Sequence, residues 1–355
     1  MPATEGPAAS TWVGVSRDAL ARNYERVAAF AGVPVCAVVK ANAYGHGLVE
    51  TARVFAGAGA PMLAVTRLGE ARALRAGGID TPVFLLAPAA DVREAVALAC
   101  EVTVSSADQI AALPDGARAH LKVDTGMSRL GVLPPEALEA ARAIAARATL
   151  AAVWTHLPDG ATERAARRLS TFAGVVAAVR DAFPDVRAHA LNSAGLLAHK
   201  GAAPDMVRVG TLLYGENPPG ARAGWPLAET FAWFGRVAQV KRVPAGASVG
   251  YGPGATLRRA RLVATIPVGY ADGLALEIAA RPPRAREIVR RSVSFARARG
   301  RAVQFENGTA PIVGRVSMQM VTVDVTDVPG VEAGSVARLP ARRLVVSPLI
   351  ERVYR

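Results

Sequence analysis

Lysine is scarce in this chain of 355 residues: only Lys40, Lys122, Lys200 and Lys241 carry a side-chain ammonium. Chemistry that needs a primary amine is confined to those four positions. Cysteine is scarcer still. Cys36 and Cys100 lie far apart, which argues against a disulfide framework and against a cysteine-based metal cluster, and no metal is expected. No run of 18 or more uncharged apolar residues occurs, although 51% of residues are hydrophobic. No transmembrane helix and no membrane partner are therefore expected. The opening MPATEGPAASTW has no basic region followed by an apolar stretch. It reads as lacking a signal peptide, and the expected location is cytoplasmic. Aromatic residues are few, at 5%, and no basic stretch interleaves with them, as a base-stacking surface requires. The net charge of +13 comes from arginines spread along the chain amid abundant alanine and glycine. That pattern fits a GC-rich codon bias. Basic charge alone is unspecific, and no nucleic-acid partner is expected.

What is present is ordered in two textures. From residue 35 to about 214, short apolar runs alternate with amphipathic stretches: Val35–Val39, Met62–Thr66, Val83–Ala87, Val102–Val104, Ala119–Val123, Leu150–Thr155, Ala188–Leu191 and Val207–Leu213. Each is short and bounded by turn or charged residues, as a buried parallel strand is. Between most of them lies an Ala/Arg/Glu/Leu stretch with helical spacing. Eight strands and seven helical patterns point to a (β/α)8 TIM-type barrel, with a doubly wound sheet as the competing α/β architecture. From about Pro226, Val237–Val243, Arg261–Val268, Ile312–Val316 and Met320–Val325 are β-rich and separated by Gly/Pro turns. This predicts a smaller, mostly β C-terminal domain. The expected boundaries are 1–226 and 227–355, with Thr11–Val15 a further strand able to pair with the C-terminal domain. The Arg281–Arg301 stretch, with eight arginines, reads as a solvated insertion with a possible helix near Arg284–Arg291.

In a (β/α)8 barrel the active groups cluster at the C-terminal ends of the strands, and the unusual residues fall there. Lys40 ends the first run, in Ala37-Val-Val-Lys-Ala-Asn-Ala-Tyr-Gly-His-Gly47. Burial near the barrel axis would lower its pKa and make it a better nucleophile and base. The plainer alternative is a lysine that opens a solvent-facing loop. The Gly-, Asn- and Tyr-rich segment behind it suits a phosphate. The fifth run continues as His120-Leu-Lys-Val-Asp-Thr-Gly-Met-Ser-Arg-Leu-Gly131. Lys122, inside the strand, needs a charge partner or a modification; Asp124 or a glutamate would supply the ordinary partner. Arg129 follows a tight turn and can reach back to the mouth. His156, Asn192 and Ser193 close later runs, and Arg208-Val-Gly-Thr211 offers a guanidinium, a glycine and a hydroxyl to an anion. A lone histidine is more often structural. Together these residues describe a phosphate pocket, a lysine and two arginines in one barrel mouth.

Ala37–Gly47 resembles the cofactor-lysine motif of alanine racemases, and His120–Gly131 their second motif. Arg208–Gly215, Val249–Gly252, Ile266–Gly273 and Pro311–Met318 follow in that family's order. The resemblance covers nearly the whole chain. It implies a pyridoxal-5'-phosphate-dependent isomerase that interconverts L- and D-alanine and supplies D-alanine for cell-wall peptidoglycan. It implies that Lys40 holds the cofactor and is the base on the D-alanine side, with Tyr251 on the L-alanine side. Arg129 and Met318 would contact substrate, and Arg129 the cofactor's phenolate oxygen as well. Lys122 would be N-carboxylated and paired with Arg129. His156 would lie beside the pyridine ring, and Arg208 would hydrogen-bond the ring nitrogen. Tyr44, Ser193, Gly210, Thr211 and Tyr354 would hold the phosphate, Asn192 would belong to the cofactor site, and Tyr270 would line the entrance. The active form implied is a homodimer with shared sites. The sequence departs from the family at Gln319, where many members have Asp, and at Ser317, where some have Cys. The Tyr270–Arg315 connection is longer than usual and the tail after Thr326 shorter. A serine or broad-specificity amino-acid racemase is the alternative on the same scaffold. A barrel-only pyridoxal-phosphate-binding protein is a third reading, opposed by the β domain and Tyr251.

Overall fold

The computed structural model describes residues 7–158, 160, 162–202, 204–218, 225–251, 255–276 and 302–355. The Arg-rich stretch 281–301, with the helix expected near Arg284–Arg291, and Gly252 lie outside the described residues. Residues 17–230 form one compact unit. The N-terminal segment, with strand β1 (Thr11–Val15), groups with residues 231–355 in another.

The first unit is built on eight short strands: β2 (Val35–Val38), β3 (Met62–Val65), β4 (Val83–Leu85), β5 (Cys100–Val104), β6 (Arg118–Lys122), β7 (Thr149–Trp154), β8 (Arg187–His189) and β9 (Val207–Val209). All pair in parallel, in the order β8-β7-β6-β5-β4-β3-β2-β9. A bridge between His189 and Met206, and the Arg208 N–H donated to the Leu191 carbonyl at 2.9 Å, bring β9 back beside β8 and nearly close the ring. Parallel strands buried on both faces need continuous apolar or internally satisfied residues. Cys36, Val38, Met62, Ala64, Phe84, Trp154 and Met206 accordingly pack as one cluster. The connecting helices are amphipathic. Glu163–Ala182 starts where the Thr162 hydroxyl accepts from the Ala165 N–H at 3.2 Å, and it buries Ala165, Leu169, Phe172, Val176 and Val179 at helical spacing. The expected eighth run, Val207–Leu213, is strand only to Val209. Gly210 (φ −122°, ψ −80°) breaks it, and Thr211–Tyr214 coil into a 3-10 turn.

The second unit holds a six-stranded sheet. Its members are β1, β10 (Phe231–Arg236), β15 (Ala302–Phe305), β16 (Gly308–Pro311), β18 (Val336–Leu339) and β19 (Glu351–Tyr354), ordered β16-β15-β18-β10-β1-β19. A three-stranded sheet joins β11 (Gln239–Val243), β14 (Arg261–Ile266) and β17 (Val321–Asp324), and β12 (Ser248–Val249) pairs with β13 (Ala255–Thr256). β1 runs antiparallel to β10 and parallel to β19. Trp12 stacks on Phe234 at 5.6 Å across the β1/β10 pair. The strand expected at Ile312–Val316 is displaced. β16 ends at Pro311, and Gly314 sits at φ 74°, a left-handed conformation that no strand continues through. Only Ile312 keeps a β-bridge, to Val323.

Candidate active site

Lys40 follows β2 directly and opens a turn of unusual hand. Ala41, Asn42, Ala43 and Tyr44 have φ values of 54°, 54°, 51° and 54°. A left-handed turn of non-glycine residues costs about 1–2 kcal/mol per residue, so surrounding bonds must hold it. The Glu70 carboxylate accepts from the Ala41 N–H at 2.6 Å, and the Ala43 N–H reaches the Val39 carbonyl at 2.8 Å. Asn42 Oδ1 accepts from the Leu48 N–H at 2.9 Å. Buried His46 lies 3.1 Å from the Ala43 carbonyl through Nδ1 and 2.8 Å from Thr230 Oγ1 through Nε2. Tyr44 is aimed by stacking on Tyr214 at 4.6 Å, whose hydroxyl donates to the Val38 carbonyl at 3.0 Å. Its own hydroxyl packs so closely on Gly210 that any Cβ there would run into it. The Gly210 N–H points at Ser193 Oγ, 3.3 Å away. Tyr44, Ser193 and Gly210, expected to share a ligand, thus lie together, with Thr211 next along the chain.

Lys122 ends β6 with 2% of its surface exposed, its ammonium 4.2 Å from the centre of the Trp154 ring. Arg208, also buried, places its guanidinium 4.6 Å from the same ring centre. Burial first, then Arg208 and Arg129, pulls the Lys122 pKa down to about 7, against the pull of Asp124. Asp124 is not its ion-pair partner: Oδ1 is taken by the Gly126, Met127 and Ser128 N–H groups at 2.8–3.1 Å. Lys40 is half-buried. Its pKa is lowered by burial first and then by Arg129 and Arg208, with Glu70 opposing. His156 is held down to about 3 by burial and by Arg208, Lys122, Lys40 and Arg129, so its ring is neutral. It lies 3.4 Å from an Arg208 nitrogen through Nδ1 and 3.5 Å from Asn192 Nδ2 through Nε2. Lys40, Lys122, Arg129 and Arg208 therefore cluster at the C-terminal ends of the strands. Glu70 and Asp124, the carboxylates that oppose these shifts, are engaged by backbone N–H groups.

Arg208 is fixed from below by His189, whose Nδ1 lies 2.7 Å from one guanidinium nitrogen, and by the Thr155 carbonyl at 2.7 Å. His189 and Trp154 were not singled out in the sequence. The alternation Arg187-Ala-His189 is the signal that could have tied the histidine to its neighbour: in a strand, residues two apart share one face.

In the second unit, Tyr251 lies between β12 and β13 and is 75% exposed. Tyr270 and Met318 belong to adjoining segments. The Tyr270 and Ala271 N–H groups donate to the Ser317 and Met318 carbonyls, each at 3.0 Å, and Gly269 leaves no room for a Cβ beside them. Gly314 is equally pressed against the Val249 carbonyl. These loops are thereby locked together. Tyr354 lies apart from them, in β19, opposite Val15.

The family model for the alanine racemase N-terminal domain matches residues 15–218, and that for the C-terminal domain matches residues 230–347. The chain belongs to the alanine racemase family. It is 37% identical over 346 residues to an alanine racemase of Beutenbergia cavernae, an alignment covering 92% of this chain and 86% of the relative. Among solved structures it resembles the alanine racemase of the D-cycloserine producer Streptomyces lavendulae, with TM-score 0.82 and 28% identity over 99% of this chain and 98% of that one. It also resembles that of Bartonella henselae with covalently bound pyridoxal phosphate, with TM-score 0.80 and 26% identity over 98% of this chain and 100% of that one. The barrel and β-rich unit described above are the fold of this racemase family. Among the described residues no helix is long and apolar enough to cross a membrane, and no cluster of metal-ligating side chains occurs.

Proposed function

We propose that this chain is an alanine racemase, an isomerase that uses pyridoxal phosphate to interconvert L- and D-alanine. The observation that carries the reading is the barrel mouth: a half-buried lysine of lowered pKa beside Lys122, Arg129 and Arg208, with the nearby carboxylates turned to the backbone. Such a field suits a ligand with a phosphate, a phenolate oxygen and a substrate carboxylate. The close-packed corner of Tyr44, Ser193 and Gly210, where a side chain at Gly210 would collide, fits the phosphate. Lys40 would hold the cofactor. Tyr44, Asn192, Ser193, Gly210, Thr211 and Tyr354 would bind it, and His156 would lie beside its ring.

When bound, pyridoxal phosphate supplies an electron sink for the α-carbon of the amino acid. The protein's part is proton management. Removing a proton from one face and returning one to the other needs two opposed groups, and Lys40 Nζ and the Tyr251 hydroxyl take those roles. The lowered pKa of Lys40 raises its neutral fraction near neutrality, which is the form that accepts a proton. Arg208, a cation held by His189 and Thr155, offers a donor and no acceptor to the ring nitrogen. That disfavours a proton on the nitrogen and leaves the α-carbon more basic. Arg129 and Met318 would contact the substrate, Lys122 would carry a carboxylate that pairs with Arg129, and Tyr270 would line the entrance.

The division of labour is part of the same reading. The barrel domain binds the cofactor, and the β-rich domain supplies Tyr251 and Met318 to the site of a second subunit in a homodimer. So are a cytoplasmic location and, from the family resemblance, a supply of D-alanine for peptidoglycan. The test is a panel of L-amino acids followed by chiral analysis of the products, with borohydride reduction and peptide mapping of the same preparation. Alanine is expected to racemise faster than serine, and the reduced cofactor is expected on Lys40. A label on Lys200 or Lys241, or no turnover of alanine, would overturn the assignment.

A further inference from the structure

Buried histidines link Arg208 to a carboxylate at the opposite end of the barrel. Glu101 is the second residue of β5. Arg118 and Arg187 are the first residues of β6 and β8. Glu101 Oε1 accepts from Arg118 Nε at 3.0 Å, and Oε2 accepts from Arg187 at 2.8 Å and from His120 Nε2. His120 Nδ1 lies 2.9 Å from His189 Nε2, and His189 Nδ1 lies 2.7 Å from Arg208. The two imidazoles are fully buried, and Phe84 stacks on His120 at 4.3 Å while Trp154 stacks on His189 at 5.8 Å.

The direction of every bond in this chain follows from its lower end. Burial alone would raise the Glu101 pKa, but the hydrogen bond from His120, with the Arg187 and Arg118 guanidinium groups, outweighs it and holds it below the usual carboxylate range. The group is a carboxylate and can only accept. Burial, ahead of all other influences, lowers the pKa of both histidines, so each carries one ring proton. His120 must place its proton on Nε2, leaving Nδ1 bare. His189 must then donate from Nε2, leaving its own Nδ1 bare to accept from Arg208. All donors point toward Glu101. With the opposite tautomer, His189 would present an N–H to a guanidinium that has no acceptor, and Arg208 would be pushed out of place.

We propose that Glu101 is a positioning residue for the reaction: through His120 and His189 it keeps the proton off the His189 nitrogen that faces Arg208, and so holds the guanidinium ready for the cofactor's ring nitrogen. The inference rests on the racemase reading for its consequence, though not for the order of protons.

The protein has five histidines, so the 15N-histidine-labelled holoenzyme gives a resolvable long-range 1H–15N spectrum, assigned with His120→Gln and His189→Gln. The wild type is expected to show both rings neutral with the proton on Nε2. Glu101→Met removes the acceptor. It is expected to lose the single tautomer at His120 and to lower kcat for alanine about tenfold or more, the scale of one charge-assisted hydrogen bond, with KM changed less than about twofold. Glu101→Gln can keep its carbonyl oxygen on His120 and Arg187, while the half-exposed Arg118 loses its acceptor and turns to water; this variant is expected to restore the tautomers and most of kcat. Should Glu101→Met not fold, the wild-type spectrum and Glu101→Gln decide. A cationic ring, or a proton on Nδ1 of His120 or His189 in the wild type, would overturn the proposal. So would a folded Glu101→Met with unchanged tautomers and kcat, or a Glu101→Gln variant with altered tautomers. Correct tautomers in a protein that does not racemise alanine would sink the functional reading alone.

Discussion

Lys122 is buried beside Arg208 and within the field of Arg129. Its pKa falls from 10.5 to about 7. At about 1.4 kcal/mol per unit, keeping the bare ammonium in its folded place costs about 5 kcal/mol. A bare Lys122 binds fewer protons in the folded than in the unfolded chain between pH 7 and pH 10.5. Stability would then rise with pH through that window, with the full penalty present below pH 7. The same shift makes the amine nucleophilic. Near pH 7 about half of it is neutral, against about one part in three thousand for an ordinary lysine. A neutral amine is what carbon dioxide requires to form a carbamate, whose charge would relieve the repulsion by Arg208 and Arg129. Carboxylation is therefore expected. Lys122→Met, close in volume, distinguishes the states by sign. Loss of a carbamate strands the arginines and should lower stability by about 3–5 kcal/mol. Loss of a bare ammonium should instead raise stability below pH 7. The assay is thermal and urea unfolding of both proteins from pH 6 to 10, with 13C-bicarbonate labelling read by NMR. A Lys122→Met variant more stable than wild type, with no bound 13C signal, would refute the reasoning.

Two further expectations concern the β-rich unit. Mixing inactive Lys40→Ala with inactive Tyr251→Phe under conditions of demonstrated subunit exchange should restore part of the activity, because a mixed dimer has one intact site; no recovery would count against shared sites. Tyr354 is anchored rather than frayed: the Arg355 N–H donates to the Val15 carbonyl at 3.0 Å, and Arg352 binds the Ser347 carbonyl at 2.6 Å. Tyr354→Phe should weaken cofactor retention about ten- to a hundredfold, the worth of one hydrogen bond to a charged acceptor, and an unchanged dissociation constant in equilibrium dialysis would remove the phenol from the phosphate.

The barrel was legible because its strands are short apolar runs set off by helices of clear period. Lys40 and Arg208 stood out because a charge at the end of, or within, such a run has few explanations. The polar chain below them was hidden by the same logic. Glu101, His120 and His189 sit in strands whose interior face is polar, and a period-two pattern alone does not say which face is inside. The left-handed turn after Lys40 left no mark either, because Ala-Asn-Ala-Tyr contains no glycine. In the β-rich unit, Gly314 interrupts what reads as a strand. β16, β18 and β19 are only four residues each, too short for periodicity to reveal.

The turn of reversed hand also bears on the order in which this protein assembles. A segment that opposes the intrinsic preference of its own residues does not nucleate locally. It forms when Glu70 and Thr230 are already in place to hold it, and these come from widely separated parts of the chain. Lys40 is therefore expected to acquire its final aim late, after β2, β3 and the end of the barrel have come together. Under the proposed reading, capture of the cofactor at Lys40, rather than at Lys200 or Lys241, is expected only of the finished barrel.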